Sequence, residues 1–351
     1  MVRPLKSFNI ARTEPNLLPM TKFFQVINST LSSDKLGAFI QQQYNLSATT
    51  KCQLFRAAMN HLYIVTDGDQ KFVFRVYTYN WRTKQEISEE LRLLLHLKEN
   101  NAAVAHPISD HSGQFIQEFE APEGKRYGVL FSYAKGSKTA RFSPGASFQI
   151  GQALAHVHRY TENVVLERIH YNTQTLLIDA VERTTQFFKK TSDEIRFLAT
   201  LSHSLQAKFN AVNPQKLRHG AVHLDVWFDN MHLDETGKAT FFDFDFCGNG
   251  WLCLDLSYFL FQLFTTNLNE NDYEAKAEQF IKGYTSEIEM TDEEQKLLPY
   301  VCLAIMLYYI SIQCDRFDYW TNIFLNEDHL KRFVGNLKRW ISYHKLENEL
   351  L

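Results

Sequence analysis

Five aspartates lie close together between residues 222 and 246, in the sequence VHLDVWFDNMHLDETGKATFFDFDF, among residues that are typical of buried strands. Acidic side chains are rarely buried unless they are paired or bind a metal. A chain that places Asp225, Asp243 and Asp245 beside apolar runs such as 240–242 must therefore give these carboxylates partners. This requirement constrains the fold more than any other feature of the sequence.

The acidic stretch predicts two short strands, 231–233 and 239–242, joined by a turn. A hairpin brings its two ends together, so Asn230 before the first strand and Asp243 after the second should lie side by side. An amide oxygen and a carboxylate at one point suit a hard cation such as Mg²⁺. Asp225, five residues before Asn230, could accept a proton from an incoming hydroxyl.

Other interpretations of this stretch stay open. A polar loop with Asx turns would explain one or two of the polar residues at 225, 230, 243 and 245, but not all four at once. Asp245 could be a metal ligand, directly or through another group, or could orient its neighbours. Trp227 could stack on a substrate or pack under the loop.

The chain changes near residue 135 from strand-like runs to mainly helical patterns. The predicted elements before this point are a helix from 34, three strands between 52 and 79, a helix at 84–100, and strands at 114–119 and 127–133. We therefore expect an α+β fold with a small β-rich lobe, a large mainly helical lobe and a ligand-binding cleft between them. The expected boundaries are 1–31 for an N-terminal tail, 32–134 for the N-lobe and 135–351 for the C-lobe.

Two capping-box patterns, beginning at Thr191 and Thr291, predict helix starts in the second part of the chain. The second pattern precedes an apolar segment, 297–314, that could be mistaken for a membrane span. Pro299 near the start of this segment and the polar Ser311 near its end favour a buried core helix instead.

The composition argues against several classes of function. A formal net charge of −3 provides no basic surface, so we expect no nucleic-acid partner. The five cysteines form no CxxC pair and are odd in number, which argues against a disulfide framework and a zinc site. Because the N-terminus also shows no signal-peptide pattern, we expect a cytoplasmic protein. We also expect no membrane partner, and a monomer or homodimer.

Three sequence elements occur in order in the second half of the chain. Residues 223–230 read H-L-D-V-W-F-D-N, 242–245 read F-D-F-D, and 255–257 read D-L-S. They resemble the motifs H-G-D-x-x-x-x-N, hydrophobic-D-[FLW]-[DE] and D-L-[AS] of the superfamily of aminoglycoside phosphotransferases, choline kinases and type II homoserine kinases. The resemblance covers nearly the whole chain from about residue 35 and implies a protein-kinase-like fold.

The resemblance also implies a phosphate-binding cation in the N-lobe. The strand 72–77 looks like the one that carries this cation, here Arg75, and Glu90 matches the helix glutamate that pairs with it. A guanidinium can hold two phosphate oxygens, and a neighbouring carboxylate can fix its rotamer. Glu86 and Glu89 lie on the same predicted helix and are rival partners for Arg75.

The resemblance indicates where adenine would bind, but it gives less support for a phosphate-binding loop. Segment 129–133 looks like the hinge whose backbone binds adenine, which makes Leu130 and Ser132 candidate nucleotide contacts. The turn at 57–60 contains no glycine, so a glycine-rich loop that cradles phosphates is not supported. Asn60 could donate to a phosphate oxygen or could be an ordinary turn residue.

The catalytic motif departs from the family pattern at Leu224, which replaces the usual glycine and raises a question about the local backbone. Leu224 also replaces the arginine with which protein kinases grip a phosphorylated activation loop, which argues against control by that route. The resemblance implies that Asp255 caps backbone amides around His223, and that His223 supports the loop and is not the base.

The resemblance implies a phosphotransferase that moves the γ-phosphoryl group of ATP, or of GTP, to a hydroxyl with the help of Mg²⁺. Asp225 would orient and deprotonate that hydroxyl, while Asn230 and Asp243 would hold the metal. The implied acceptor is a small hydroxylated molecule such as an amino alcohol, an amino acid or an aminoglycoside. Asp315 and Trp320 could line its pocket.

Two other functions remain open at this stage. One is a kinase of protein Ser/Thr, like the bacterial stress-response kinases of this superfamily. The other is a catalytically inactive member that binds nucleotide as a sensor or scaffold. The presence of Asp225, Asn230 and Asp243 argues against an inactive protein, whereas the glycine-free turn at 57–60 allows it.

Overall fold

The first part of the chain forms an antiparallel sheet, because its β-branched and aromatic runs favour extended strands. The computed structural model describes residues 24–267, 269–319 and 324–351. The strands of the sheet are β1 (Lys51–Ala57), β2 (Asn60–Asp67), β3 (Gln70–Tyr77), β4 (Pro107–Ile108), β5 (Ile116–Ala121) and β6 (Gly124–Ser132). They are ordered β1-β2-β3-β6-β4, and β5 also pairs with β6.

Two helices, α1 (Ser33–Gln43) and α2 (Lys84–Glu99), accompany the sheet and complete the N-lobe. Ser32 begins α1 by accepting a hydrogen bond from the backbone N–H of Lys35. Thr83 and Glu86 form a reciprocal capping box at the start of α2. α1 packs with β2, β3 and β6 around an apolar cluster of Leu36, Ile40, Tyr63, Val65, Phe74, Val76 and Leu130, while α2 packs into the main core of the protein.

The second part of the chain, the C-lobe, is mainly helical. Its helices are α3 (Pro144–Thr161), α4 (Asp179–Phe187), α5 (Asp193–Asn210), α6 (Cys253–Thr266), α7 (Glu270–Thr285), α8 (Asp292–Asp315), α9 (Glu327–Tyr343) and α10 (Glu347–Leu350). This arrangement confirms the predicted α+β fold with a small β-rich lobe and a large helical lobe.

The acidic stretch lies between α5 and α6 and forms the predicted hairpin. Strand β8 (Met231–Leu233) pairs with β9 (Ala239–Phe241). A second antiparallel pair, β7 (His219–Val222) with β10 (Gly248–Trp251), frames the hairpin. The sequence analysis did not predict this outer pair, whose strands contain three glycines and little of the usual strand composition.

The apolar segment at 297–314 belongs to α8. Within the described residues, α8 is the one helix long and apolar enough to cross a membrane, and 72% of its most apolar stretch is buried inside the protein. The predicted core helix is therefore confirmed, as is the capping box of Thr291 and Glu294. The predicted cap at Thr191 was wrong: Ser192 caps α5, because its side chain accepts from the backbone N–H of Ile195.

Helices α3 and α7 approach each other at two glycines. A Cβ atom at Gly151 would lie 2.1 Å from the carbonyl oxygen of Phe280, and one at Gly283 would lie 2.0 Å from that of Phe148. Such distances are far inside van der Waals contact, so each helix uses a glycine to accept the backbone of the other.

The linker between the lobes is attached to the hairpin. Ser137 and Leu233 exchange two backbone hydrogen bonds, each 3.0 Å long. Gly136 has φ +92°, and a Cβ there would lie 2.2 Å from the carbonyl oxygen of Leu233. The residues after β6 therefore lie at a fixed position beside β8, close to the residues of the acidic stretch.

Candidate active site

A cleft of about 410 Å³ lies between the N-lobe sheet and the β8–β9 hairpin. Apolar side chains of β1, β2 and β3 form one wall, and the end of β6 with the linker forms the back. The opposite wall contains Asn230, Phe242 and Asp243. Four cations line the same cleft: Arg56, Lys71, Arg75 and Lys138. A concave site with a few convergent polar groups is the usual form of a small-molecule binding site.

Asn230 and Asp243 lie at the same end of the hairpin, as the sequence predicted. The backbone N–H of Phe242 donates to the carbonyl oxygen of Asn230 at 3.0 Å, which joins the two ends. Asp243 follows β9 in a left-handed conformation, with φ 66° and ψ 59°. This conformation is unfavourable for a residue with a Cβ atom and is concentrated at functional sites.

Asn230 is also bound to Asp225. Its Nδ2 donates to Asp225 Oδ2 at 2.6 Å and to the Asp225 carbonyl oxygen at 3.1 Å. Because the amide nitrogen is committed to Asp225, the amide oxygen is the atom of Asn230 that remains for a ligand in the cleft. The structure therefore brings together the three predicted residues at 225, 230 and 243.

Arg75 connects the N-lobe to the acidic stretch. It is 5% exposed, and its guanidinium contacts Glu90 Oε1 at 2.6 Å and Asp243 Oδ1 at 3.0 Å. Glu90 also accepts a hydrogen bond from the Tyr77 hydroxyl at 2.9 Å and lies 3.8 Å from Arg168. The rival glutamates have other partners, since Glu86 caps α2 and Glu89 binds Arg92.

Asp225 is partly buried against the aromatic residues Tyr258 and Tyr309. Burial raises the pKa of Asp225 to about 6, and the nearby Asp243 acts in the same direction. Hydrogen bonds from the Tyr258 and Tyr309 hydroxyls oppose this increase in pKa. Asp225 is therefore mostly ionised near neutral pH, yet it is more basic than an ordinary aspartate.

The backbone around Asp225 is held by Asp255. Its carboxylate accepts from the backbone N–H groups of His223, at 2.8 Å, and Leu224, at 2.6 Å. His223 Nδ1 accepts from the Asp225 N–H at 3.2 Å, so its Nε2 carries the proton that is donated to the Phe242 carbonyl oxygen at 3.1 Å. Both ring nitrogens are used within the loop, which agrees with the supporting role predicted for His223.

Leu224 has a backbone conformation that is more typical of glycine. Its φ is 65°, in the left-handed region, and its side chain is fully buried. The Asp255 contact with its N–H and the 3.2 Å hydrogen bond from the Tyr309 hydroxyl to its carbonyl oxygen hold this conformation. A leucine in this conformation stores backbone strain, which the contacts with Asp255 and Tyr309 compensate.

The structure places Asp245 away from the cleft. Its carboxylate accepts from Trp81 Nε1 at 2.6 Å and from Arg82 Nε at 3.1 Å, and the residue is 2% exposed. These contacts hold the pKa of Asp245 low despite burial, with Arg82 as the main cause. The geometry therefore favours the orienting interpretation of Asp245 over the metal-ligand interpretation.

Two predicted nucleotide contacts do not line the cleft. Leu130 pairs with Phe74 and Ile108 within the sheet, and its side chain packs in the cluster below α1. Asn60 accepts from the backbone N–H of Thr78 at 3.4 Å. Side chains alternate between the two faces of a strand. The sequence shows which residues share a face, but it does not show which face meets the cleft.

Ser132 does line the cleft, but its groups are already partly used. Its backbone N–H donates to the His106 carbonyl oxygen at 2.9 Å, and its Oγ accepts from the His106 N–H at 3.0 Å. Its neighbours Phe131, Tyr133 and Ala134 also line the cleft. The end of β6 and the residues after it therefore line the cleft, and a role of this segment in binding adenine stays a prediction.

The predicted substrate residues have no common location in the described part of the chain. Trp227 packs against the main core and lies beside Phe228, with ring centroids 4.6 Å apart. Asp315 is exposed at the last position of α8. Trp320 lies outside the described residues.

Sequence reasoning missed several residues that shape the site. Tyr258 lies three positions after Asp255 on α6, and this helical spacing could have placed it near the loop. Tyr309 lies in the apolar run of α8 and Arg168 lies in a loop, so neither carries a local signal. Their contacts with Leu224 and Glu90 arise only from tertiary packing.

Comparisons with known proteins identify the family of this chain. Residues 51–289 match the model of a family described as the phosphotransferase enzyme family. A homoserine kinase of Neisseria meningitidis is 25% identical over 274 residues, which cover 78% of this chain and 85% of the relative.

Solved structures show the same fold. The structure of amicoumacin kinase hAmiN in complex with AMP-PNP, Ca²⁺ and Ami has a TM-score of 0.72 at 19% identity, covering 88% of this chain and 94% of the other. The structure of a microcompartment-associated aminopropanol kinase has a TM-score of 0.70 at 16% identity, covering 91% and 99%. These likenesses confirm the protein-kinase-like fold, and the family match over more than half of the sequence shows that the chain belongs to the phosphotransferase enzyme family.

Proposed function

We propose that this protein is a kinase that transfers the γ-phosphoryl group of ATP to a hydroxyl of a small molecule. The observation that carries the proposal is that Arg75, Asn230 and Asp243 line one cleft and are bound to Asp225 and Glu90 directly behind them. Phosphoryl transfer depends mainly on positioning and on charge stabilisation, and these residues provide both.

In the proposed reaction, Asp225 binds the acceptor hydroxyl and takes its proton. The acceptor oxygen forms a bond to the γ-phosphorus while the bond between this phosphorus and the β,γ-bridging oxygen breaks, which releases ADP. Arg75 binds the α- and β-phosphates, and Glu90 holds its guanidinium in place. The pKa of about 6 suits Asp225 to this task, since it is ionised at neutral pH but accepts a proton more readily than a solvated aspartate.

Asn230 and Asp243 offer two oxygen ligands that would suit a divalent cation. Within the described residues no group of three or more His, Cys, Asp or Glu side chains could hold a metal ion. Mg²⁺ often binds through one or two protein oxygens together with substrate phosphates, and Asn230 and Asp243 could provide these two. Bound there, Mg²⁺ would neutralise charge on the phosphates. Because Asp245 is engaged by Trp81 and Arg82, we leave it out of the proposed ligand set.

The acceptor class is inferred from the relatives. The names of the relatives refer to homoserine, aminopropanol and amicoumacin, of which the first two are small molecules with a hydroxyl and an amine. We therefore propose an amino alcohol, an amino acid or a related small molecule as acceptor. We also propose 32–134 as the nucleotide-binding lobe and 135–351 as the lobe that carries the base and the acceptor site.

Calorimetric titration of ATP, with and without Mg²⁺, tests the nucleotide site. The wild-type protein should bind ATP in a magnesium-dependent manner, and Asp243→Asn should weaken this binding. The matched control is Asp234→Asn, because Asp234 lies in the exposed hairpin turn and binds Thr236 and Lys238. A folded wild-type protein that binds neither ATP nor GTP would refute the proposal.

Incubation with labelled ATP separates the possible acceptors. A pool of hydroxylated metabolites should take up label in the presence of the wild-type protein, and a protein extract without metabolites should not. Label found in proteins instead would identify a protein kinase. Binding of ATP without any transfer to either pool would identify an inactive nucleotide-binding member of the family.

A further inference from the structure

Asp229 lies between two cations from different parts of the molecule. Its Oδ2 is 2.9 Å from Arg56 NH1, and its Oδ1 is 2.8 Å from Lys138 Nζ. Arg56 belongs to β1 of the N-lobe, Lys138 to the linker, and Asp229 to the loop that carries Asn230. The ionic contacts of Asp229 therefore join β1 and the linker to the loop before β8.

The positions of the two cations are defined by the backbone. Lys138 follows Ser137, whose two backbone hydrogen bonds to Leu233 attach the linker to the hairpin. Arg56 lies at the end of β1, where it pairs with Leu62 just before the turn. Both cations line the cleft together with Asn230 and Asp243. They therefore face the space that the proposed metal and phosphates would fill.

The turn beyond Arg56 uses part of its backbone in hydrogen bonds within the N-lobe. The N–H of Ala58 donates to the Asn60 carbonyl oxygen at 3.2 Å, and the Met59 carbonyl oxygen accepts from the Thr78 hydroxyl. In a glycine-rich loop the phosphates are covered by the loop itself. In this chain the equivalent turn contains no glycine and uses its Ala58 N–H internally, which makes the cationic side chains that line this end of the cleft the better candidates for phosphate contacts.

The arrangement around Asp229 has the chemistry of an anion site occupied by a carboxylate. Two cations surround one carboxylate, which leaves one positive charge in excess. The side chains remain accessible, with exposed fractions of 52% for Arg56, 33% for Lys138 and 25% for Asp229. Burial alone would raise the pKa of Asp229, but hydrogen bonds and charge from Lys138 and Arg56 lower it. A phosphate offers the same cations more negative charge and more acceptor oxygens.

We propose that Arg56 and Lys138 bind the phosphates of the nucleotide, and that Asp229 is their partner only while the nucleotide is absent. The inference rests on the proposed function and extends it to two residues that the sequence motifs do not include. Arg56 and Lys138 perform the role of a glycine-rich loop, and Asp229 competes with the nucleotide for them. The two kinds of residue should therefore have opposite effects on nucleotide affinity.

Calorimetric titration of Mg·ATP and of adenosine into the wild-type protein and its variants tests this competition. Arg56→Ala should weaken Mg·ATP binding about tenfold, since it removes a charge-assisted hydrogen bond at a half-exposed position. Asp229→Asn should tighten Mg·ATP binding about threefold, since it removes a like charge beside the phosphates. Adenosine should bind all proteins equally, because it carries no phosphate.

Lys51→Ala is the matched control, because Lys51 is an exposed cation on the same strand at a distance from the cleft. It should bind Mg·ATP like the wild type. Equal affinity of Arg56→Ala and wild type, or weaker binding by Asp229→Asn, would show that the three residues only brace the lobes. Either result would overturn the inference while the proposed function stands. A wild-type protein that binds no nucleotide would overturn both.

Discussion

At the scale of single residues, Asp225 combines a chemical role with a cost in stability. The fold raises its pKa from 3.8 to about 6, chiefly through burial. A carboxyl group whose folded-state pKa lies above its unfolded value binds its proton more strongly in the folded protein. Its contribution to folding is therefore favourable at low pH and is lost as the pH rises from about 4 to about 6.

We expect Asp225→Asn to remove turnover and to stabilise the protein at neutral pH. The gain in the free energy of unfolding should be at most about 3 kcal/mol at pH 7, since one pKa unit corresponds to about 1.4 kcal/mol. Chemical denaturation at several pH values measures it, and the gain should shrink as the pH is lowered towards 4. A variant that is equally stabilised at all pH values would contradict this account.

The acid limb of the pH–rate profile should reflect the ionisation of Asp225. The value of kcat/KM should fall below a pH of about 6, as Asp225 takes up a proton in the free enzyme. Tyr258→Phe should move this fall to higher pH, because the Tyr258 hydroxyl helps to keep the pKa of Asp225 down.

Tyr308→Phe is the control, because Tyr308 packs against Tyr171 and not against Asp225. Its profile should match that of the wild type. An acid limb that is the same in the Tyr258→Phe variant and the wild type would show that another group, or a step other than proton transfer, sets the profile.

At the scale of elements, the contact between α3 and α7 depends on two glycines. Gly151→Ala or Gly283→Ala would force each new methyl group against the backbone of the facing helix. We expect each change to lower the free energy of unfolding by about 3 kcal/mol, because the helices must separate.

Gly335→Ala in α9 provides the comparison, because no atom lies within 4 Å of a Cβ atom at that position. This change should stabilise the protein by about 0.5–1 kcal/mol, since alanine favours the helix. Thermal unfolding of the three variants measures the difference. Destabilisation of the Gly335 variant as well would mean that the contact distance is not the cause.

The elements also show how far local sequence patterns determine this structure. The β2–β3 hairpin and the start of α8 follow from a turn of glycine and aspartate and from a capping box, so the sequence predicts them directly. The two-residue strand β4 and the pair of β7 with β10 have no such local signal. Their hydrogen bonds form only because distant segments meet.

In the candidate site, too, the sequence predicts residues that one local element brings together, but not those that meet only through tertiary packing. Asp225, Asn230 and Asp243 could be predicted because one short hairpin brings them together, and Arg75 because it lies on a recognisable strand. The direction of the Asp245 side chain depends on Trp81 and Arg82, which are more than 160 positions away in the chain. No pattern within a single element contains that information.

At the scale of the whole molecule, Arg168 joins helix α2 to the C-lobe. This C-lobe arginine donates to the carbonyl oxygens of Glu86 at 3.1 Å and of Asp245, and it lies 3.8 Å from Glu90. Its side chain and that of Glu90 are fully buried. These buried contacts join α2 to the C-lobe, whereas the ionic contacts of Asp229 are more exposed.

We expect Arg168→Ala to lower the free energy of unfolding by about 3 kcal/mol, because it removes a buried cation together with its hydrogen bonds to two carbonyl oxygens. Activity should fall as well, since Glu90 would lose one of the groups that orient it. Denaturant unfolding and steady-state kinetics measure the two effects.

Arg92→Ala is the matched control, because Arg92 also joins α2 to the C-lobe but is half exposed. It should cost less than about 1 kcal/mol, as is usual for exposed ion pairs. Similar losses for both variants would show that burial does not distinguish the two contacts.

The fastening of α2 has a consequence for how such an enzyme is controlled. Many kinases are switched off by swinging the glutamate-bearing helix outward, which separates the glutamate from its cation. Here α2 is joined to the C-lobe by Arg168 and by the Glu89 contact with the backbone of Glu167, and it is joined to β3 by the Arg75–Glu90 pair. Outward movement of α2 would break these contacts, so we expect Glu90 to stay beside Arg75. The catalytic activity of such an enzyme would then depend on the amount of the protein and on the supply of its acceptor.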